Sequence, residues 1–123
     1  MRAQKIVLIE DDRILSDALY SKLTDAGFEV ERAFDGEEGI AMVLAKKPDL
    51  VLLNILLPKM DGLTVAKKLK SNPQTKETPI IILTVLENSE PMAKALESGV
   101  YEYLVKSKSK VEDVVKRIQE HFA

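Results

Sequence analysis

The apolar patterning of the chain predicts an α/β fold, a doubly wound parallel sheet of strands alternating with helices. Short apolar runs without period-2 alternation recur along the chain, as in strands buried on both faces. Between them lie segments whose apolar residues keep helical spacing. The two kinds alternate from end to end, which implies right-handed crossovers over a parallel sheet.

The first strand is "IVLI", Ile6 to Ile9. Ile14, Leu15, Ala18, Leu19 and Leu23 then mark one face of a helix that Gly27 closes. "FEVERA", Phe28 to Ala33, alternates apolar and charged residues and reads as an edge strand with one wetter face. Ile40, Val43 and Leu44 mark the second helix, stopped before Pro48. "LVLL", Leu50 to Leu53, is the third strand, and Leu63, Ala66 and Leu69 mark a helix ended by Asn72 and Pro73. "IIIL", Ile80 to Leu83, precedes a fourth helix from Ser89 to Glu97, with Pro91 in its first turn and Gly99 as its stop. "YLV", Tyr103 to Val105, precedes a last helix marked by Val111, Val114, Val115, Ile118 and Phe122.

Bulk properties narrow the function. A length of 123 residues suits one domain, 1–123, and 46% hydrophobic with 31% charged residues is an ordinary globular composition. A net charge of -2 argues against broad binding to nucleic acid or anionic membranes. The absence of cysteine excludes disulfides, a thiol nucleophile and cysteine-ligated metal. The N-terminal "MRAQKIVLIEDD" is too briefly apolar for a signal peptide or membrane span. No effector domain is expected in these residues, and the last helix ends where a linker would begin.

Open parallel sheets place their ligand sites beyond the carboxyl ends of the strands. The residues there are Glu10, Asp11 and Asp12 after the first strand, Asn54 after the third, Thr84 after the fourth and Lys106 after the fifth. Singly, each has an ordinary use. Asp11 and Asp12 suit a helix cap and first-turn acid, Asn54 a turn, Thr84 a strand end, and Lys106 a solvated loop charge. Their convergence on one rim argues for a site. Clustered carboxylates repel unless a cation or proton lies between them, and such hard oxygens suit Mg²⁺. Metal, hydroxyl and ammonium together would receive a phosphoryl group's oxygens. The nucleophile is what is missing. An aspartate at position 54 could attack phosphorus; the amide of Asn54 cannot.

The segments "VLIEDD", "KPDLVLLNILLPKMDG", "TPIIILT" and "YLVK" resemble, in order and spacing, the receiver domain of two-component response regulators, of the single-domain chemotaxis type. The resemblance spans about Lys5 to His121. It implies a flavodoxin-like (βα)5 fold with strand order 2-1-3-4-5. It implies a signalling module rather than an enzyme, with Glu10, Asp11, Asn54 and the Leu56 backbone carbonyl around Mg²⁺, which is expected still to bind, but more weakly, because one anionic ligand has become neutral. Asn54 falls on the phosphoacceptor aspartate, Thr84 and Lys106 on the residues that meet the phosphoryl group, and Thr84 with Tyr103 on the switch pair. The implied partners are a histidine kinase or phosphotransfer protein, and a downstream protein target at the face of the fourth helix, fifth strand and fifth helix. No direct nucleic-acid or membrane partner is implied; the setting is cytoplasmic and the state a monomer or weak homodimer.

The chain departs from the family at three positions. Asn54 replaces the acceptor. Ser107 stands where proline usually follows the lysine, often after a cis peptide; a cis bond before serine would cost about 3 kcal/mol. Val85 is β-branched where the family is small, and could crowd the phosphoryl pocket. Asn54 fits two histories: an isosteric Asp→Asn replacement that traps the unphosphorylated state, or a natural receiver-like module that no longer takes phosphate. A flavodoxin-like cofactor enzyme would need a phosphate-cradling loop where Glu10, Asp11 and Asp12 stand. The "KSKSK" run from Lys106 to Lys110 is expected to be a solvated loop, and His121 to be exposed or fraying.

Overall fold

The computed structural model describes residues 3–84, 102–105 and 110–123, and the side chains within these except at positions 84, 102, 103 and 105. The strands are β1 (Lys5–Ile9), β2 (Glu29–Ala33), β3 (Leu50–Asn54), β4 (Ile80–Thr84) and β5 (Glu102–Val105). All pair in parallel, in the order β2-β1-β3-β4-β5 that the resemblance implied. The described helices are α1 (Arg13–Asp25), α2 (Gly36–Lys46), α3 (Gly62–Ser71) and the C-terminal helix (Val111–Phe122). The expected helix from Ser89 to Glu97, together with Val85, Lys106 and Ser107, lies outside the described residues.

The continuous apolar runs become the inner strands. Every residue of β3 is buried, and Ile6 to Ile9 and Ile80 to Leu83 are buried as well. Alternate side chains serve opposite layers, as the period of two requires. Val7, Ile9, Val51, Leu53, Ile80 and Ile82 pack with Val43 of α2 and Val65, Ala66 and Leu69 of α3. Ile6, Leu8, Leu50, Leu52, Ile81 and Leu83 pack with Leu19 and Leu23 of α1 and Val114, Val115 and Ile118 of the C-terminal helix. Each fully buried Leu, Ile or Val contributes about 1.5–3 kcal/mol relative to exposure. As its alternation predicted, β2 is the edge strand, and its exposed or half-buried Glu29, Glu31 and Arg32 oppose further strand addition.

Aspartates start three helices at the carboxyl rim of the sheet. Asp12 accepts from the Ile14 and Leu15 N–H groups at 3.0 and 3.2 Å, Asp35 from Glu38 at 2.8 Å, and Asp61 from Thr64 at 3.0 Å. Of the ordinary uses expected for Asp11 and Asp12, the helix cap falls to Asp12, and no acid occupies the first turn of α1. Lys47, just before Pro48, ends α2 in the left-handed region at φ 49°, and Asn72 ends α3.

Two expectations are corrected. Ile14, assigned to the buried face of α1, is 83% exposed. The buried stripe instead runs through Ser16, Leu19 and Leu23, with Leu15 at its margin, so Ile14 lies on the far side of the first turn. His121 is half-buried rather than exposed, its ring set edge-on to Phe122 at 4.8 Å, while Phe122 meets Phe28 at 5.7 Å.

Candidate functional site

β1 and β3 pair in register, Ile6 with Leu50 and Leu8 with Leu52. Extending that register by two residues sets Glu10 beside Asn54, on the same face by the alternation of a strand. Both are buried, Glu10 at 1% and Asn54 at 5% exposure. The backbone N–H of Glu10 donates to Ala33 at 3.1 Å, which ties the end of β1 to β2.

The Asn54 amide nitrogen faces three oxygens. It donates to Glu10 Oε2 at 2.9 Å, Asp11 Oδ1 at 3.1 Å and the Leu56 carbonyl at 3.1 Å. Its own carbonyl, Oδ1, accepts from the Leu56 N–H at 3.2 Å. Glu10 Oε2 also accepts from the Asp12 N–H at 3.1 Å. The amide orientation follows from these partners. Turned over, it would set Oδ1 against three acceptor oxygens and its NH₂ against the Leu56 N–H.

The loop after β3 returns to its starting point through Gly62. Its N–H donates to the Ile55 carbonyl at 2.6 Å. A Cβ at Gly62 would overlap the Asn54 carbonyl oxygen and lie 2.6 Å from Ile55 Cα. Glycine is thus required by close approach of two backbone segments. The only sign of this role in the sequence is a capping aspartate, Asp61, followed at once by glycine. The loop leaves the Leu56 side chain 50% exposed while its carbonyl points inward.

The structure thus joins four of the expected site residues, Glu10, Asp11, Asn54 and Leu56. Thr84 ends β4, one residue beyond Leu83, the pairing partner of Asn54, and it pairs in turn with Val105. The side chains of Thr84 and Tyr103, and all of Lys106, fall outside what is described. No group of three or more His, Cys, Asp or Glu side chains suited to metal occurs among the described residues. The oxygens of Glu10, Asp11 and Leu56 are chemically apt for a hard divalent cation. The amide is not, because its N–H donors occupy the space among them. As folded, the residues do not fit a metal there.

A five-stranded parallel sheet in the order β2-β1-β3-β4-β5, with two acids and an amide at its carboxyl rim, is the arrangement of a signalling receiver. The comparisons agree. The chain belongs to the response regulator receiver domain family, whose model matches residues 6–119. It is 35% identical over 115 residues to the DNA-binding dual master transcriptional regulator RpaA of Synechocystis, covering 94% of this chain and 47% of that protein. It is 36% identical over 102 residues to the response regulator PleD of Caulobacter vibrioides, covering 83% of this chain and 22% of that one. The chain thus spans half or less of these curated relatives. Among solved structures it is similar to chemotaxis response regulator CheY4 of Vibrio cholerae, with TM-score 0.88, 29% identity and 98% of both chains covered. A putative response regulator from Chloroflexus aurantiacus matches with TM-score 0.88, 30% identity and 97% of both chains covered. The chain is therefore a receiver domain of two-component signalling. Such domains are signalling modules, not generally enzymes; they generally bind Mg²⁺ at the phosphorylation site and interact with histidine kinases or phosphotransfer proteins. No described helix is long and apolar enough to cross a membrane.

Proposed function

We propose that this receiver is silent toward phosphoryl transfer as its sequence stands, and becomes a Mg²⁺-dependent phosphoacceptor when aspartate replaces Asn54. The observation that carries this reading is the placement of Asn54, at the end of the central strand and hydrogen-bonded to both Glu10 and Asp11. An aspartate there would put a carboxylate at the mouth of the acid pair, where a cation could join it to Glu10, Asp11 and the Leu56 carbonyl. Thr84 and Lys106 are proposed to meet the phosphoryl oxygens, and Tyr103 to follow Thr84 in relaying the change. Output would run through the face of β5, the C-terminal helix and the segment before β5, to a protein target. The phosphodonor would be a histidine kinase or phosphotransfer protein. A cytoplasmic setting suits this role.

The experiment is incubation of the chain and of Asn54→Asp with acetyl phosphate and Mg²⁺, followed by intact mass. The expected result is an adduct on Asn54→Asp alone. An adduct on the unmodified chain, or none on Asn54→Asp, overturns the proposal.

A second reading is a pseudo-receiver that binds its partner without phosphorylation. The closed set of hydrogen bonds around Asn54 favours it, since the rim is already satisfied. Under that reading Asn54→Asp with a phosphodonor changes neither partner affinity nor the surroundings of Tyr103.

A further inference from the structure

We propose that the Asn54 amide acts as a built-in substitute for the divalent cation, completing the acid rim by itself and excluding metal from it. The inference rests on hydrogen-bond geometry and stands whether or not the chain ever receives a phosphoryl group.

Three oxygens converge on one nitrogen: Glu10 Oε2 at 2.9 Å, Asp11 Oδ1 at 3.1 Å and the Leu56 carbonyl at 3.1 Å. An NH₂ group carries two hydrogens, so one is shared between acceptors. The NH₂ hydrogens therefore present their partial positive charge to all three oxygens, as a cation would. Mg²⁺ demands oxygens at about 2.0–2.1 Å. Here all three oxygens are turned instead toward an amide nitrogen 2.9–3.1 Å away, which has no lone pair to offer and whose hydrogens fill the space between them.

The orientation is held from the other side. The Leu56 N–H donates to Asn54 Oδ1 at 3.2 Å, so residue 56 accepts from one end of the amide and donates to the other. Admission of a metal requires the amide to turn over or leave. Turning over removes three donor contacts and opposes the NH₂ to the Leu56 N–H. Burial of Asn54 raises the cost, because water cannot replace the lost partners. The amide is thus an antagonist of metal binding, which differs from being a weak ligand.

That difference is measurable by truncation. If Asn54 is merely a poor ligand, Asn54→Ala binds Mg²⁺ no better than the chain as it stands. If the amide excludes the metal, Asn54→Ala binds Mg²⁺ more tightly, although alanine supplies no ligand. Calorimetric Mg²⁺ titration of the unmodified chain, Asn54→Ala and Asn54→Asp decides the matter. The expected order is Asn54→Asp tightest, Asn54→Ala next and the unmodified chain weakest, with roughly tenfold or more between the first and last. In parallel, the Asn54 side-chain N–H resonances should stay unmoved as Mg²⁺ is added to the ¹⁵N-labelled chain. An Asn54→Ala affinity equal to or below that of the unmodified chain overturns the proposal, as does a saturable shift of the Asn54 resonances. Should Asn54→Asp fail to fold without metal, the alanine comparison and the resonance titration still decide it.

Discussion

The Asn54 amide nitrogen donates to Glu10 Oε2 at 2.9 Å across 44 residues of sequence, joining the ends of two paired central strands inside the fold. Replacement by aspartate keeps the shape and reverses the interaction. In a chelator, Asn54→Asp turns a donor facing Glu10 and Asp11 into a third carboxylate. The expected loss is about 1–3 kcal/mol of unfolding free energy. Urea denaturation in EDTA checks it; an equal or higher midpoint for Asn54→Asp would contradict it.

Gly62→Ala should damage the same site from behind. The new methyl would overlap the Asn54 carbonyl oxygen, with Ile55 Cα 2.6 Å away, and both are backbone atoms of the segment that carries the amide. Overpacking of this kind costs about 1–3 kcal/mol. The Asn54 side-chain resonances should move along with the denaturation midpoint. A midpoint shift without any change at Asn54 would show that the strain is relieved elsewhere.

Asp12→Ala removes the cap of α1, which accepts from both Ile14 and Leu15. The expected cost is about 1 kcal/mol, and Asp12→Asn should restore most of it because asparagine caps equally well. Glu10 Oε2 is approached by the Asp12 backbone N–H, so the acid rim keeps that contact in both variants. Equal stabilities for the alanine and asparagine variants would remove the cap from the account.

Lys70 gives a prediction in pH. Its ammonium donates to the Thr78 carbonyl at 2.7 Å and the Lys76 carbonyl at 3.2 Å. Burial lowers its pKa from the ordinary 10.5, and Glu77 partly opposes the shift. A cation with a depressed folded pKa penalises the fold while charged. Between the folded pKa and 10.5 the unfolded chain binds more protons, so stability from this group rises with pH there. Lys70→Met should flatten the rise. Denaturation midpoints measured for both proteins on the alkaline side of neutrality test it, and parallel curves would refute it.

Most of the architecture was legible because it depends on local pattern. The runs at Ile6, Leu50 and Ile80 are apolar without alternation, and such strands are stable only when covered on both faces. The alternation after Phe28 marked the edge for the converse reason. Ile14 was misplaced because apolar character says nothing of which side of a first turn meets the sheet; the buried polar Ser16 holds that place. The role of Gly62 was not legible in the sequence, because it lies in contact with Asn54 and Ile55, eight and seven positions back.

Residue types and their order were enough to determine an α/β sheet and to set Glu10, Asp11 and Asn54 at the ends of its central strands. Which end of the Asn54 amide faces the acids was decided only in three dimensions. An amide is nearly symmetric in shape, so its orientation depends on the donors and acceptors around it. Here the Leu56 N–H takes the oxygen, and Glu10, Asp11 and the Leu56 carbonyl take the nitrogen. Those partners meet only because the β1 and β3 ends are in register and the loop after β3 folds back through Gly62.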